Sequence, residues 1–237
     1  MANIVITGAN RGIGLALAKL YEARGDSVTA VCRETNDEIE EIADQVLSDI
    51  DITNEEQLPS IAMVLDRILD DPIDVLINNA GLFTNETLHD LDSDRIRAQF
   101  EVNAIAPLMV TRELLPLMAE GTKIANITSR MGSIEDNTSG AYYGYRASKA
   151  AVNAIGKSLA NDLKEHGVMV AQIHPGFVQT RMVGFNGDIS PEQAAEGIAA
   201  RIDDLTLETT GSFWHSNGQP LPCLLYTSDA ADDLTRV

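Results

Sequence analysis

Tyr145 and Lys149 are the residues whose types and spacing first suggest chemistry in this 237-residue chain. The stretch AYYGYRASK, residues 141–149, holds three tyrosines, and only Tyr145 has a lysine four positions on. Tyr142 is followed there by Arg146 and Tyr143 by Ala147. In a helix, residues i and i+4 share a face about 6 Å apart along the axis. A phenol has an ordinary pKa of ~10. A close cation favours the phenolate and lowers that value by ~1–3 units. Such a phenol can protonate an oxygen that is gaining negative charge, while a nearby hydroxyl donates a hydrogen bond to the same oxygen. Taken alone the pair reads equally as a surface i,i+4 contact, so the surrounding elements must decide.

Those elements alternate. NIVIT reads as a first strand, GIGLALAKLYEAR as a helix and SVTAVCR as a second strand. A helix over NDEIEEIADQVL leads into SDIDIT, and EEQLPSIAMVLDRIL precedes the strand DVLINN. One long helix, bent by Pro107 and Pro116, fits SDRIRAQFEVNAIAPLMVTRELLPLMA. TKIANITS, a helix from Tyr143 to His166, VMVAQIHP, a helix from SPEQAAEGIAARI and a last strand SFWH complete the order. Ser190, Pro191 and Gln193 form a capping-box pattern at the last helix. Alternating strands and helices, with nearly continuous apolar strands, imply α/β architecture: one doubly wound Rossmann-type domain, its parallel sheet of about seven strands covered by helices on both faces.

The turn TGANRGIG joins the first strand to the first helix. Gly8, Gly12 and Gly14 allow a tight bend that brings backbone N–H groups close to a pyrophosphate at a helix N-terminus. About 20 residues on, where an NAD site places a carboxylate, the chain has Cys32 followed by Arg33. With Arg11 in the turn, two guanidiniums suit a ribose 2′-phosphate and point to NADP(H). Ser129 follows the strand KIANITS, at the edge of the sheet where ligands bind.

The spacing of the glycines, with N-A-G at 79–81, Asn103, Ser129, the Y-x-x-x-K of Tyr145 and Lys149, and HPGFVQT, resembles the short-chain dehydrogenase/reductase family. The resemblance covers most of the chain. NITSRMGSIEDNTSG and YYGYRASKAAVNA are similar to its C-factor-like carbonyl reductases. It implies a catalytic set of Asn103, Ser129, Tyr145 and Lys149. Tyr145 is then the acid, Ser129 donates to the substrate oxygen, Lys149 also holds the nicotinamide ribose, and Asn103 holds a water joined to Lys149. The Ser129-to-Tyr145 interval is longer than the family's usual one and Ser133 would make it short; Ser129 is preferred because it ends the strand. For the cofactor the resemblance implies Gly8, Asn10, Arg11, Gly12, Ile13, Gly14, Arg33, Asp51, Ile52, Asn79, Ala80, Gly81, Tyr145, Lys149, Pro175, Gly176, Val178 and Thr180. Asp51 and Ile52 would flank the adenine; Val178 and Thr180 would contact the carboxamide. Met131, Phe177, Met182 and Phe185 are candidate pocket walls, and equally core residues. His174 reads as a strand-end packing residue.

With 36 acidic against 17 basic residues, net charge −19, the surface repels nucleic acid and anionic membrane, so neither is an expected partner. No apolar run approaches the ~20 residues of a membrane span. An opening without a basic stretch argues against a signal peptide. Cys32 lies in an expected buried strand, which fits a reducing cytoplasm. The histidines are too scattered for a metal site. Residues 223–232, CLLYTSDAAD, resemble translated sequencing-adapter DNA. The expected domain is therefore 1–222, with 223–237 a non-native tail. The expected activity is reversible reduction of aldehydes or ketones by NADPH, in a homodimer or homotetramer. The rival is a dinucleotide-binding signalling protein of C-factor type with incidental catalysis.

Overall fold

The structure, a computed structural model, describes residues 1–223. Seven strands form one sheet: β1 (Asn3–Thr7), β2 (Ser27–Val31), β3 (Gln45–Leu47), β4 (Ile73–Asn78), β5 (Met118–Ile127), β6 (Met169–His174) and β7 (Phe213–His215). Their spatial order is β3-β2-β1-β4-β5-β6-β7, and every pairing is parallel. Helices α1 (Gly12–Ala23), α2 (Asp37–Ile42) and α7 (Pro191–Asp203) contribute to the apolar cluster on one face. Helices α3 (Leu58–Ile68), α5 (Ala106–Leu114) and α6 (Tyr143–Leu163) contribute to the other. In β1, Ile4 and Ile6 join the first cluster while Val5 joins the second. Side chains alternate across a strand, so a sheet buried on both faces needs apolar residues at consecutive positions.

Three boundaries differ from expectation. The helix expected through Leu47 ends at Ile42, because Ala43 is extended and Asp44 accepts the Val28 N–H at 2.9 Å. That contact starts the pairing of β3 with β2, so QVL is a strand despite its place at the end of a helix-like run. The long helix expected from Ser93 is broken into α4 (Ser93–Phe100), a π-helical turn (Glu101–Ile105), α5 and a 3₁₀ turn (Leu115–Leu117). Pro107 has no N–H to give the carbonyl of Asn103, its i−4 partner, so the regular ladder cannot pass that point. After Pro116 the chain turns extended at Met118, and β5 begins earlier than its apolar core suggests.

The capping box forms as expected. Ser190 Oγ accepts the Gln193 N–H at 3.3 Å, and Gln193 Oε1 accepts the Ser190 N–H at 3.0 Å. Among the described residues no helix is long and apolar enough to cross a membrane. Cys223 is the last of them, and its carbonyl accepts the Ile134 N–H at 3.1 Å. Apart from Cys223, the expected non-native tail lies outside the described residues.

The β1–α1 turn has no room for a side chain at Gly14. A Cβ there would lie 2.3 Å from the Gly8 carbonyl oxygen and 2.5 Å from Asn79 Nδ2. Backbone cannot yield as a side-chain tip does. Gly14→Ala should therefore destabilise the fold by ~1–3 kcal/mol, seen as a lower calorimetric melting temperature.

Candidate active site

The site lies at the carboxyl edge of the sheet, around the point where strand order reverses between β1 and β4. Thr7, buried at the end of β1, fixes the start of it. Its Oγ1 accepts the N–H groups of Asn79 at 3.1 Å and Ala80 at 3.2 Å. Asn79 Nδ2 donates back to the carbonyls of Thr7 and Gly8, both at 3.1 Å. The glycine turn and the N-A-G segment are thus one knit unit. Gly8 has φ +66°, and a Cβ on it would lie 2.9 Å from Ala80 Cα. Gly12 has φ +55° and faces Thr180, whose Cγ2 would be 3.4 Å from a Cβ there.

Arg11 is the residue before α1, and no side chain caps that helix end. The first turn of α1 holds no acid, so its free N–H groups and positive dipole end are open to an anion. Ile13 packs against the core beside them. Asn10 Nδ2 donates to Glu34 O at 2.8 Å, and Asn36 Nδ2 donates to Asn10 O at 2.7 Å, which ties the turn to the end of β2. Arg33 stands exposed just after buried Cys32. Among the described residues neither Arg11 nor Arg33 forms an ion pair, although carboxylates outnumber bases two to one. Asp51 accepts the Thr53 N–H at 3.0 Å and its hydroxyl at 2.8 Å. These bonds, with the charge of Arg33 nearby, hold its carboxyl below the usual range. The Ile52 side chain is buried in the core with Val31 and Leu58.

At the other side of the edge, Lys149 is buried and donates from Nζ to Ile127 O at 2.9 Å. Nζ lies 5.7 Å from the centroid of the Tyr145 ring. The Ser129 side chain lies near enough to the Tyr145 phenol to pull its pKa downward. Its Oγ also accepts the Met131 N–H at 3.1 Å, whereas Ser133 Oγ caps the loop by accepting the Asp136 N–H at 3.2 Å. The loop lies hard against α6: a Cβ on Gly132 would be 2.7 Å from the Lys149 carbonyl carbon.

The expected lowering of the Tyr145 pKa is reversed in this state. Burial pushes the phenol up to about 12, with Ser129 pulling the other way, and pushes the Lys149 ammonium down to about 8. Desolvation disfavours both charged forms and is the dominant cause for each. Asn103 is buried beside α6. Its Oδ1 accepts the Leu82 N–H and its Nδ2 donates to Leu82 O, both at 2.8 Å, and Nδ2 reaches Ser148 Oγ at 3.0 Å. The amide therefore clamps the loop after β4. It can do so because the π-helical turn before Pro107 carries it.

After β6, Gly176 adopts φ +98°, Pro175 O accepts the Ser216 hydroxyl at 3.0 Å, and Val178 is buried in a bridge to Ile189. His174 packs edge-on against His215 at 4.8 Å, and burial drives it down to about 3, so it is a neutral packing residue. Phe177, Met182 and Phe185 are exposed, Met131 half-buried. A Cβ on Gly81 would stand 3.6 Å from Met182 Cε, so the short segment after Thr180 reaches the N-A-G loop. Sequence reasoning missed Phe83, whose ring meets Tyr145 edge-on at 4.9 Å and stacks on Tyr142 at 5.6 Å. It also missed Glu86, a carboxylate with no exposure at all. Neither belongs to a spacing pattern that would single it out.

The sequence profile of the short chain dehydrogenase family matches residues 2–189, and the chain belongs to that family. It is 37% identical over 222 residues to a 1-hydroxy-2-glutathionyl-2-methyl-3-butene dehydrogenase of Rhodococcus sp. (strain AD45), covering 92% of this chain and 98% of that one. It is 40% identical over 154 residues to the C-signal of Myxococcus xanthus, covering 64% of this chain and 93% of that one. An NADPH-bound carbonyl reductase from chicken fatty liver superposes with a TM-score of 0.85 at 26% identity, covering 94% of this chain and 99% of that one. The protein is an oxidoreductase of this family, with the fold of its carbonyl reductases.

The depressed Lys149 pKa makes stability depend on pH. Between about 8 and its unfolded value the unfolded chain binds more protons, so the burial penalty is full below about 8 and fades as pH rises. Comparing wild type with Lys149→Met isolates this term. In urea titrations the stability of wild type relative to the variant should improve by about 2 kcal/mol between about pH 7 and pH 9.5.

Proposed function

We propose that the protein reduces aldehydes or ketones to alcohols, reversibly, with NADPH as the preferred cofactor and Tyr145 as general acid and base. The observation that carries this reading is the convergence of Ser129, Tyr145 and Lys149 at the end of β5, on the same sheet edge as the glycine turn. The cofactor, when bound, supplies the hydride.

Residues of the chain fit its parts. The open start of α1 and the turn from Gly8 to Gly14 suit a pyrophosphate. Arg11 and Arg33, unpaired among the described residues, suit a 2′-phosphate; Asn10 and Asp51 support the turn and loop that carry them. Asn79, Ala80 and Gly81 stand at the centre of the edge. Pro175, Gly176, Val178 and Thr180 form the opposing loop, close to Gly12.

Ser129 donates a hydrogen bond to the substrate oxygen. Tyr145 gives that oxygen its proton, for which a phenol still protonated at neutral pH is the right form in the reducing direction. Lys149 holds a positive charge beside the phenol, stabilising the phenolate that proton transfer leaves behind. Asn103 keeps the loop after β4 in place. Exposed Phe177, Met182 and Phe185 offer an apolar rim, which favours apolar carbonyl compounds.

The likeness to C-signal favours a second reading, dinucleotide binding for signalling. A regulator has no need of a buried proton donor. The two part on a single assay: loss of reduced-nicotinamide absorbance with a panel of carbonyls. Tyr145→Phe should cut kcat at least ~10²-fold while leaving cofactor binding within about threefold, since only the proton donor is lost. Unchanged turnover would remove Tyr145 from the chemistry. Arg33→Ala should weaken NADPH roughly tenfold and NADH hardly at all by fluorescence titration; equal losses would refute the phosphate assignment.

A further inference from the structure

We infer that Glu86 is a positioning residue whose buried carboxylate anchors the first turn of α6 and thereby aims Tyr145. This rests on the reductase reading above, in which Tyr145 moves the proton. Glu86 lies in the loop after β4 and is wholly buried. Its Oε2 accepts the Gly144 N–H at 3.1 Å. Its Oε1 accepts Gln99 Nε2 at 2.9 Å and the Thr84 hydroxyl. Its own backbone carbonyl accepts the Tyr142 N–H at 2.8 Å. Gln99 is fixed in turn, because its Oε1 accepts the Thr84 N–H at 3.1 Å. Every group that reaches the carboxyl is a donor, so both of its oxygens serve as acceptors. The Arg95 guanidinium lies within electrostatic reach of it.

Helix α6 needs such an anchor because its own sequence supplies none. The first N–H groups of a helix require acceptors, usually from a preceding Ser, Thr, Asp or Asn. Here the preceding residue is Tyr142, which makes no side-chain cap bond. Gly140, Ala141 and Tyr142 all have positive φ, at +68°, +54° and +54°. The chain therefore enters the helix through a left-handed bend that two non-glycine residues adopt only under constraint. The constraint comes from Glu86, about 58 residues back in sequence. Tyr145 follows directly after Gly144, the residue whose N–H the carboxylate holds.

The same loop grips the other side. Phe83 packs edge-on against Tyr145 and flat on Tyr142. Gly144 leaves no slack: a Cβ there would fall 2.3 Å from Gln99 Nε2 and 3.1 Å from Ile96 Cα. Proton transfer is sensitive to shifts of about 1 Å in the donor, which can cost ~10²-fold. Loosening this turn would therefore cost turnover before it costs binding.

The experiment pairs hydrogen exchange with kinetics on the full chain. Glu86→Gln puts an amide N–H₂ among groups that are all donors, and Thr84→Val removes one of them more gently. Glu86→Gln should speed exchange across residues 143–149 tenfold or more and lower kcat tenfold or more. KM and NADPH affinity should stay within about threefold, and Thr84→Val should show the same pattern more weakly. Unchanged exchange in both variants overturns the anchoring. Faster exchange with unchanged kcat overturns the positioning role. Parallel losses of kcat, cofactor affinity and melting temperature in both variants also overturn it, since they mark general loosening of the fold. The exchange arm needs no turnover, so it decides the anchoring even if the wild type is inert toward every carbonyl, a result that would instead remove the reductase reading.

Discussion

The buried ammonium of Lys149 is the constraint around which this edge of the sheet is organised. A charge taken out of water is costly unless hydrogen bonds replace its solvent. Here the carbonyl of Ile127, at the end of β5, takes that place. The bond needs α6 to lie close over the strand, and glycines at the contact permit it. Gly132 lets the loop after β5 lie against the Lys149 backbone, and Gly156 sits directly above Gln172.

The opposite half of the edge works through the reverse sign of electrostatics. In a chain of net charge −19, most of the basic groups that form ion pairs do so on the surface, where they contribute little. Arg11 and Arg33 are among the described basic residues that form no ion pair, and Arg11 precedes a helix start with no acid in its first turn. Thr7 and Asn79 bond the end of β1 to the end of β4 at the centre of this edge.

Much of this was legible in the residues. The alternation of apolar strands with periodic helices implied the parallel sheet, because consecutive apolar positions have only that use in a water-soluble α/β chain. The glycine turn and the i,i+4 relation of Tyr145 and Lys149 depend on local backbone geometry and could be read directly. β3 could not: QVL follows a helical run, and only pairing with β2 makes it a strand. The direction of the Tyr145 and Lys149 pKa shifts was also hidden. Spacing reveals that an attraction exists, but the desolvation opposing it depends on how much protein covers both groups.

Sequence alone determined the alternation of most strands and helices, the break at Pro107, the glycine turn and the identities of the candidate site side chains, since each follows from local sterics, periodicity or chemistry. Tertiary structure decided what holds those side chains. Asn103 clamps Leu82, Ile52 goes to the core, and Glu86 reaches across to the start of α6. Contacts of that kind join residues far apart in the chain, and their energies depend on burial, which no local pattern encodes.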